Sequence, residues 1–274
     1  PYLFKPDATI RYRYPKVRSN GSFPKYPRTT VHIDYYLSEV AKGLKLEILD
    51  SKKASIVTIL SDSTLVKTSV SEKEDMNLSA TFRYVNTKLE TKKGLNRFEW
   101  DLKEKGPWHK EEKKRYTNGP LVPPGRYTVK LTVNGKTMMQ DFEILPDPRV
   151  EAEGMTKALF EKQHGMQQSI LTLLSDARQL QNNLEKEVKA LDSKDTDNTT
   201  SERLKNIKTV LKQLKNDEEA YPQQMLVSQI AYIYNMVNGA DQVIGKDVKE
   251  RYEELMTDFT TIKNRVQPST TPSK

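Results

Sequence analysis

Cysteine is absent from the 274-residue chain. That excludes a disulfide scaffold, thiolate zinc sites and cysteine nucleophiles, and leaves the redox compartment open. Histidine is scarce: His32, His109 and His164 are the whole set, with no HxH or HExxH spacing to hold a metal. No apolar run approaches the ~18–20 residues a membrane helix requires, so no transmembrane span is expected. GxxxxGK[ST], GxGxxG and GxSxG are all missing, which removes the common phosphate loops and the serine nucleophile elbow. Asp195-Thr-Asp197-Asn198 opens like a calcium loop but has no Gly at the sixth place and no Glu at the twelfth. Glu99 and Asp101 share one face of a predicted strand beside solvent, which is a poor setting for a glycosidase acid pair. The expectation is a chain that is not itself an enzyme, with no catalytic residues, no cofactor and no metal.

What is present is polar but not disordered. Charged residues are 30% and hydrophobic residues 35%, yet seven Phe, thirteen Tyr and two Trp are too many for a chain without cores. The length predicts about two domains. The formal charge is +8 and is unevenly placed: residues 1–150 hold 28 Lys and Arg against 18 Asp and Glu, and residues 151–274 hold 17 against 19. The change of balance places a border near residue 150. Basic clusters occupy the first 28 residues and Lys110, Lys113, Lys114 and Arg115. They are read first as solvated loops, and second as a polyanion site. A first residue other than Met, with no signal-type apolar stretch behind it, predicts a processed or excised piece. Asn20-Gly-Ser22, Asn77-Leu-Ser79 and Asn198-Thr-Thr200 are glycosylation-type triplets at near-chance frequency.

Residues 1–29 read as an extended arm. Pro6, Pro15, Pro24 and Pro27 break any helix, while Tyr2, Phe4, Tyr12, Tyr14, Phe23 and Tyr26 recur among basic residues. Such an arm has no core of its own and is expected to lie on another surface. Period-two alternation then appears at Val31, Ile33, Tyr35 and Leu37 and at Leu44, Leu46 and Ile48, and Ile56–Leu60 reads as a third strand. Residues 61–93 read mostly as a polar insertion, with weak strand signals at 64–70 and 78–85. Phe98, Trp100 and Leu102 restore the alternation, and a Pro- and Gly-rich loop covers 103–124. Tyr127, Val129, Leu131 and Val133 then face one way, Asn134-Gly135 supplies a hairpin turn, and the return strand runs to Leu145 with Phe142 and Ile144 inward. This predicts an α+β multidomain chain in which an antiparallel Ig-like or fibronectin-III-like β-sandwich spans 30–148.

Pro146-Asp-Pro148-Arg149 ends the strands. Beyond it, Met155, Leu159, Met166, Ile170, Leu173, Ala177, Leu180, Leu184, Val188 and Leu191 form one helical stripe. Further stripes follow at Leu204–Leu214, Leu226–Ala240 and Val248–Val266, with a break at Tyr221-Pro222. Residues 149–267 therefore read as an antiparallel three-to-four-helix bundle, and 268–274 as a tail. Trp108 and His109 stand in the Pro- and Gly-rich loop beside Lys110, Lys113 and Arg115. An exposed indole among basic residues forms a candidate ligand platform for a sugar or peptide; its alternative is to cap one end of the sandwich.

Phe4-Lys-Pro-Asp7, Gly94-Leu-Asn-Arg-Phe-Glu-Trp100-Asp-Leu102, Gly119-Pro-Leu-Val-Pro-Pro-Gly125-Arg-Tyr-Thr-Val129, Asn134-Gly-Lys136 and Asp147-Pro-Arg-Val150 occur in that order. The set resembles the C-terminal region of bacterial, Bacteroidetes-type sortilin-like proteins, which carry an Asp-box β-propeller and are often labelled glycosyl hydrolases. The resemblance covers nearly all of the chain. The Asp-box repeats and the propeller's catalytic positions are not among these residues, so no enzyme role carries over to any of them. The resemblance implies a non-catalytic scaffolding or partner-binding portion of a secreted, periplasmic or cell-surface protein associated with the bacterial outer membrane. Its partner would be the N-terminal propeller domain or another protein subunit. The alternatives are an accessory glycan-binding module and a polyanion-binding module; nucleic acid is not the expected partner.

Overall fold

A computed structural model describes residues 1–13, 29–61, 89–116, 118–192, 198–217 and 222–266, apart from the side chains of Lys113 and residues 198–200. Several expectations lie outside these residues: Tyr14, Phe23 and Tyr26 of the arm, the weak strands at 64–70 and 78–85, the Asn20 and Asn77 triplets, Asp195 and Asp197, and the 268–274 tail.

The expected β-sandwich followed by a helical bundle is not what forms. The described strands make two sheets, of three and five strands, and five helices accompany them, one of them 36 residues long. The three-stranded sheet has the order β1 (Tyr2–Leu3), β3 (Val31–Leu37), β6 (Gly94–Trp100). The five-stranded sheet has the order β2 (Thr9–Ile10), β8 (Lys136–Leu145), β7 (Gly125–Val133), β4 (Leu44–Leu49), β5 (Ser55–Leu60). One sheet curls as a half-barrel. A cause for departing from a sandwich lies in the N-terminal arm. β1 pairs with β3 and β2 pairs in parallel with β8, so one short arm adds an edge strand to each sheet. A register shift at Ile48/Leu49 adds local twist to β4.

The chain divides into two compact units, and neither follows the 148/149 border. A strand unit holds Pro1–Gly106 and Lys113–His164; a helical unit holds Pro107–Glu112 and Gly165–Lys274. In the strand unit, the alternation of β3 puts Val31, Ile33, Tyr35 and Leu37 in the core. They join Leu3, Leu46, Ile48, Phe98, Trp100, Val129, Leu131, Phe142 and Ile144 in one cluster. Trp100 meets Tyr127 and Phe142 edge-on, with ring centroids 6.3 Å apart in each pair. The Asn134-Gly135 turn takes φ of 47° and 81°, the left-handed pair that joins β7 to β8. α1 (Pro148–Ala152) is capped by Asp147, whose carboxylate accepts from the Arg149 backbone N–H with Pro148 at the first helical position.

The helical unit has its own core. Its part of α2 (Lys157–Asp192), with α3 (Asn198–Leu214), α4 (Leu226–Gly239) and α5 (Lys246–Val266), contributes Ile170, Leu174, Ile207, Val210, Ile230, Tyr234, Leu255 and Phe259 to one buried cluster. Gln167 is 1% exposed and its amide nitrogen donates to the Val237 carbonyl at 3.1 Å, in the last turn of α4. Among the described residues, no helix is long and apolar enough to cross a membrane.

Candidate functional site

The five platform residues are divided between the units. Trp108, His109 and Lys110 belong to the helical unit, and Lys113 and Arg115 to the strand unit. Trp108 is half-buried. Its backbone N–H donates to Ser175 Oγ at 2.9 Å, and its carbonyl accepts from Arg178 Nη1 at 3.4 Å, so α2 fixes this stretch from both sides. Burial pulls the Arg178 guanidinium below its ordinary pKa. His109 Nδ1 accepts from the Glu111 backbone N–H at 3.0 Å, and Lys110 is exposed. Lys113 lies in the 3-10 turn Glu112–Tyr116. The half-buried Arg115, in the same turn, receives the Gly106 N–H on its carbonyl at 2.6 Å. These contacts shape two loop ends. They hold backbone.

The motifs behind the resemblance have structural duties. In Gly94–Leu102, Gly94 takes φ of 102°, and the buried Asn96 donates to the Lys92 and Gly94 carbonyls at 2.8 and 3.0 Å. Phe98 and Trp100 point into the core, and the indole N–H donates to the Lys103 carbonyl at 3.0 Å. Leu102 is fully buried with φ of 62°, a conformation β-strand patterning does not foresee. At Gly119 an added Cβ would overlap the Glu104 carbonyl oxygen, so only glycine fits. The Tyr127 hydroxyl donates to the Pro123 carbonyl at 2.7 Å, which ties the end of the Pro-Pro-Gly turn to β7; burial raises its pKa far above the ordinary tyrosine value. Arg149 grips Asp147 through Nε and Nη2, at 3.0 and 2.6 Å, and its guanidinium lies 5.6 Å from the Tyr12 ring centroid. Hydrogen bonding to Arg149 holds the 2%-exposed Asp147 carboxyl below the usual carboxylate range.

Two titratable groups meet in the strand unit that sequence reading did not pair. His164 Nε2 and Glu104 Oε1 are 2.9 Å apart, with side chains 21% and 14% exposed. Sixty residues separate them, and no spacing rule connects a loop carboxylate to a helical imidazole. Arg11 is 2% exposed, reaches the Leu121 carbonyl at 3.5 Å and stacks over the Phe160 ring at 5.1 Å. A His–Glu pair is an acid–base couple in form. No group of three or more His, Asp or Glu among the described residues is placed to hold a metal ion.

The helical unit carries an open groove of about 470 Å³ between α4 and α5. Tyr232, Ile233 and Met236 of α4 and Val248 of α5 make its apolar lining. Tyr232 is 66% exposed and Met236 42%. Arg251 closes one side, donating to Gln229 Oε1 at 2.6 Å and to Glu254 Oε2 at 2.8 Å. The α4 stripe Leu226, Ile230, Ile233 and Val237 was legible as the core face. Tyr232 and Met236 sit off that stripe, and they were the available signal for a second apolar face.

No protein-family model matches the chain, and no curated protein matches it.

Proposed function

We propose that this chain is a non-catalytic, partner-binding portion of a secreted or cell-surface bacterial protein, similar to the C-terminal region of sortilin-like propeller proteins. The observation that carries this reading is the α4–α5 groove, whose large apolar side chains stand in solvent. Exposed apolar surface of this kind marks interaction sites, and a groove between two helices suits the apolar face of a partner's amphipathic segment. The family resemblance rests on the ordered motifs, of which Gly94–Leu102, Gly119–Val129, Asn134-Gly135 and Asp147–Arg149 have structural duties in the strand unit. The partner under this reading is the parent protein's propeller or another subunit.

The test places a photo-crosslinking residue at position 232 in the full parent protein and maps its products. Crosslinks to another segment of the parent or to one co-purified subunit are expected, and Met236→Asp should reduce them at least fivefold. Crosslinks to solvent or lipid alone, unchanged by Met236→Asp, would overturn the reading. The Trp108 loop as a glycan site, and the basic half as a polyanion site, remain rival readings. Glycan binding abolished by Trp108→Ala, or heparin binding that falls steeply with salt, would favour one or the other.

A further inference from the structure

The solvent side of the three-stranded sheet is unusual for an exposed sheet face. Tyr2 of β1, Tyr36 of β3 and Leu95 of β6 are direct register partners, so they form one row across all three strands. They are 56%, 43% and 69% exposed. Phe4 flanks the row, one rank along beside Asp34: its N–H donates to the Asp34 carbonyl at 3.0 Å, and its ring meets Tyr2 edge-on at 4.9 Å. Strands lie about 4.8 Å apart, so the row spans roughly 10 Å. The next rank is Asp34 paired with Arg97, a two-pronged contact with Nε–Oδ1 at 2.7 Å and Nη2–Oδ2 at 2.8 Å. Beyond it His32 faces Glu99 at 4.0 Å, both about half exposed. The aromatics have no core to fill on this side, because Leu3, Ile33, Tyr35 and Phe98 supply the buried face.

From this arrangement we infer that the face binds a neutral saccharide, with Tyr2, Tyr36 and Phe4 stacking on pyranose rings and the Asp34–Arg97 pair hydrogen-bonding their hydroxyls. Three features select this ligand. Among the described residues of the face the Arg97 guanidinium is matched by Asp34, and a phosphate or sulfate chain would meet Asp34 and Glu99 as well as Arg97. Single-stranded nucleic acid needs a positive track beside its stacking rings, and the described residues of this face form none. Area points the same way. The exposed parts of the four apolar residues amount to roughly 400 Å², about half of what each partner contributes to a standard protein interface. A protein would also have to desolvate the Asp34–Arg97 ion pair, whereas sugar hydroxyls use its remaining donors and acceptors. This face belongs to the strand unit and the α4–α5 groove to the helical unit, and neither reading depends on the other.

The test is affinity electrophoresis and calorimetry of the full chain against neutral probes: cellotetraose, xylotetraose, mannotetraose and the corresponding polysaccharides. Retardation by at least one probe is expected, unchanged between low and about 0.5 M salt, where exposed charges are screened. Tyr36→Ala and Tyr2→Ala should each weaken it at least tenfold and Arg97→Gln at least threefold, while Trp108→Ala leaves it intact. Far-ultraviolet dichroism confirms that each variant is folded. Tyr36→Phe keeps the ring and should retain most of the affinity. Absence of retardation by every probe would overturn the inference. So would binding that survives both tyrosine variants, that collapses with salt, or that is lost only in Trp108→Ala. A dimer dissociated by Tyr36→Ala would show instead that a second copy covers the face.

Discussion

Trp100→Ala tests most severely whether the strand unit is built as described. The indole is 3% exposed, packs edge-on against Tyr127 and Phe142, and donates to the Lys103 carbonyl. Truncating a buried Trp to Ala costs about 3–5 kcal/mol in transfer and cavity terms. The Lys103 carbonyl then loses its indole donor, adding about 1 kcal/mol. A total near 5 kcal/mol is a large part of the roughly 5–15 kcal/mol that holds a domain folded. For a unit of about 150 residues, each kcal/mol lowers the melting temperature by roughly 2–4 °C, so a drop of about 10–20 °C follows. Calorimetry of the full chain reads this directly, and hydrogen exchange should localise the loss to β6, β7 and β8. The paired control is Leu95→Ala, on the same strand but 69% exposed, which should change stability by no more than about 0.5 kcal/mol. A Trp100→Ala melting temperature within about 3 °C of the parent would refute the core assignment.

Two further variants probe local chemistry. The Asp147 carboxyl is held below its ordinary pKa by Arg149, so its contribution is present at neutral pH and is lost as pH falls through that lowered value. Asp147→Ala should cost about 1–2 kcal/mol at pH 7, and urea titrations should show the gap to the parent closing as pH drops below about 4; a gap constant down to pH 2 contradicts the assignment. Gly119→Ala should destabilise by about 1–3 kcal/mol because the new Cβ meets the Glu104 carbonyl, while Gly165→Ala, in open space on α2, should stabilise by about 0.5–1 kcal/mol. Equal effects at both glycines would contradict the close approach.

The parts of the fold that were legible are those in which one element carries its own signal. Val31, Ile33, Tyr35 and Leu37 alternate because one face of β3 is buried, and Asn134-Gly135 turns because both residues tolerate positive φ. The architecture was not legible, because it depends on two-residue strands. Tyr2–Leu3 and Thr9–Ile10 are too short to show any period, yet they give each sheet an edge strand. Met155 and Phe160, on the helical side of the charge and period change near residue 150, are buried within the strand unit. At the sites, Tyr36 could be read as outward-facing from its own strand. That it lines up with Tyr2 and Leu95 depends on registers between strands far apart in sequence, which no local pattern carries. The His164–Glu104 pair was hidden for the same reason.

Binding through exposed apolar surface is the work proposed for this chain, and a crosslink map from position 232 is its sharpest check. Discrete products joining α4 to one other protein segment, diminished by Met236→Asp, are the expected result. A map with no protein product at all, from a chain that melts normally, would contradict it.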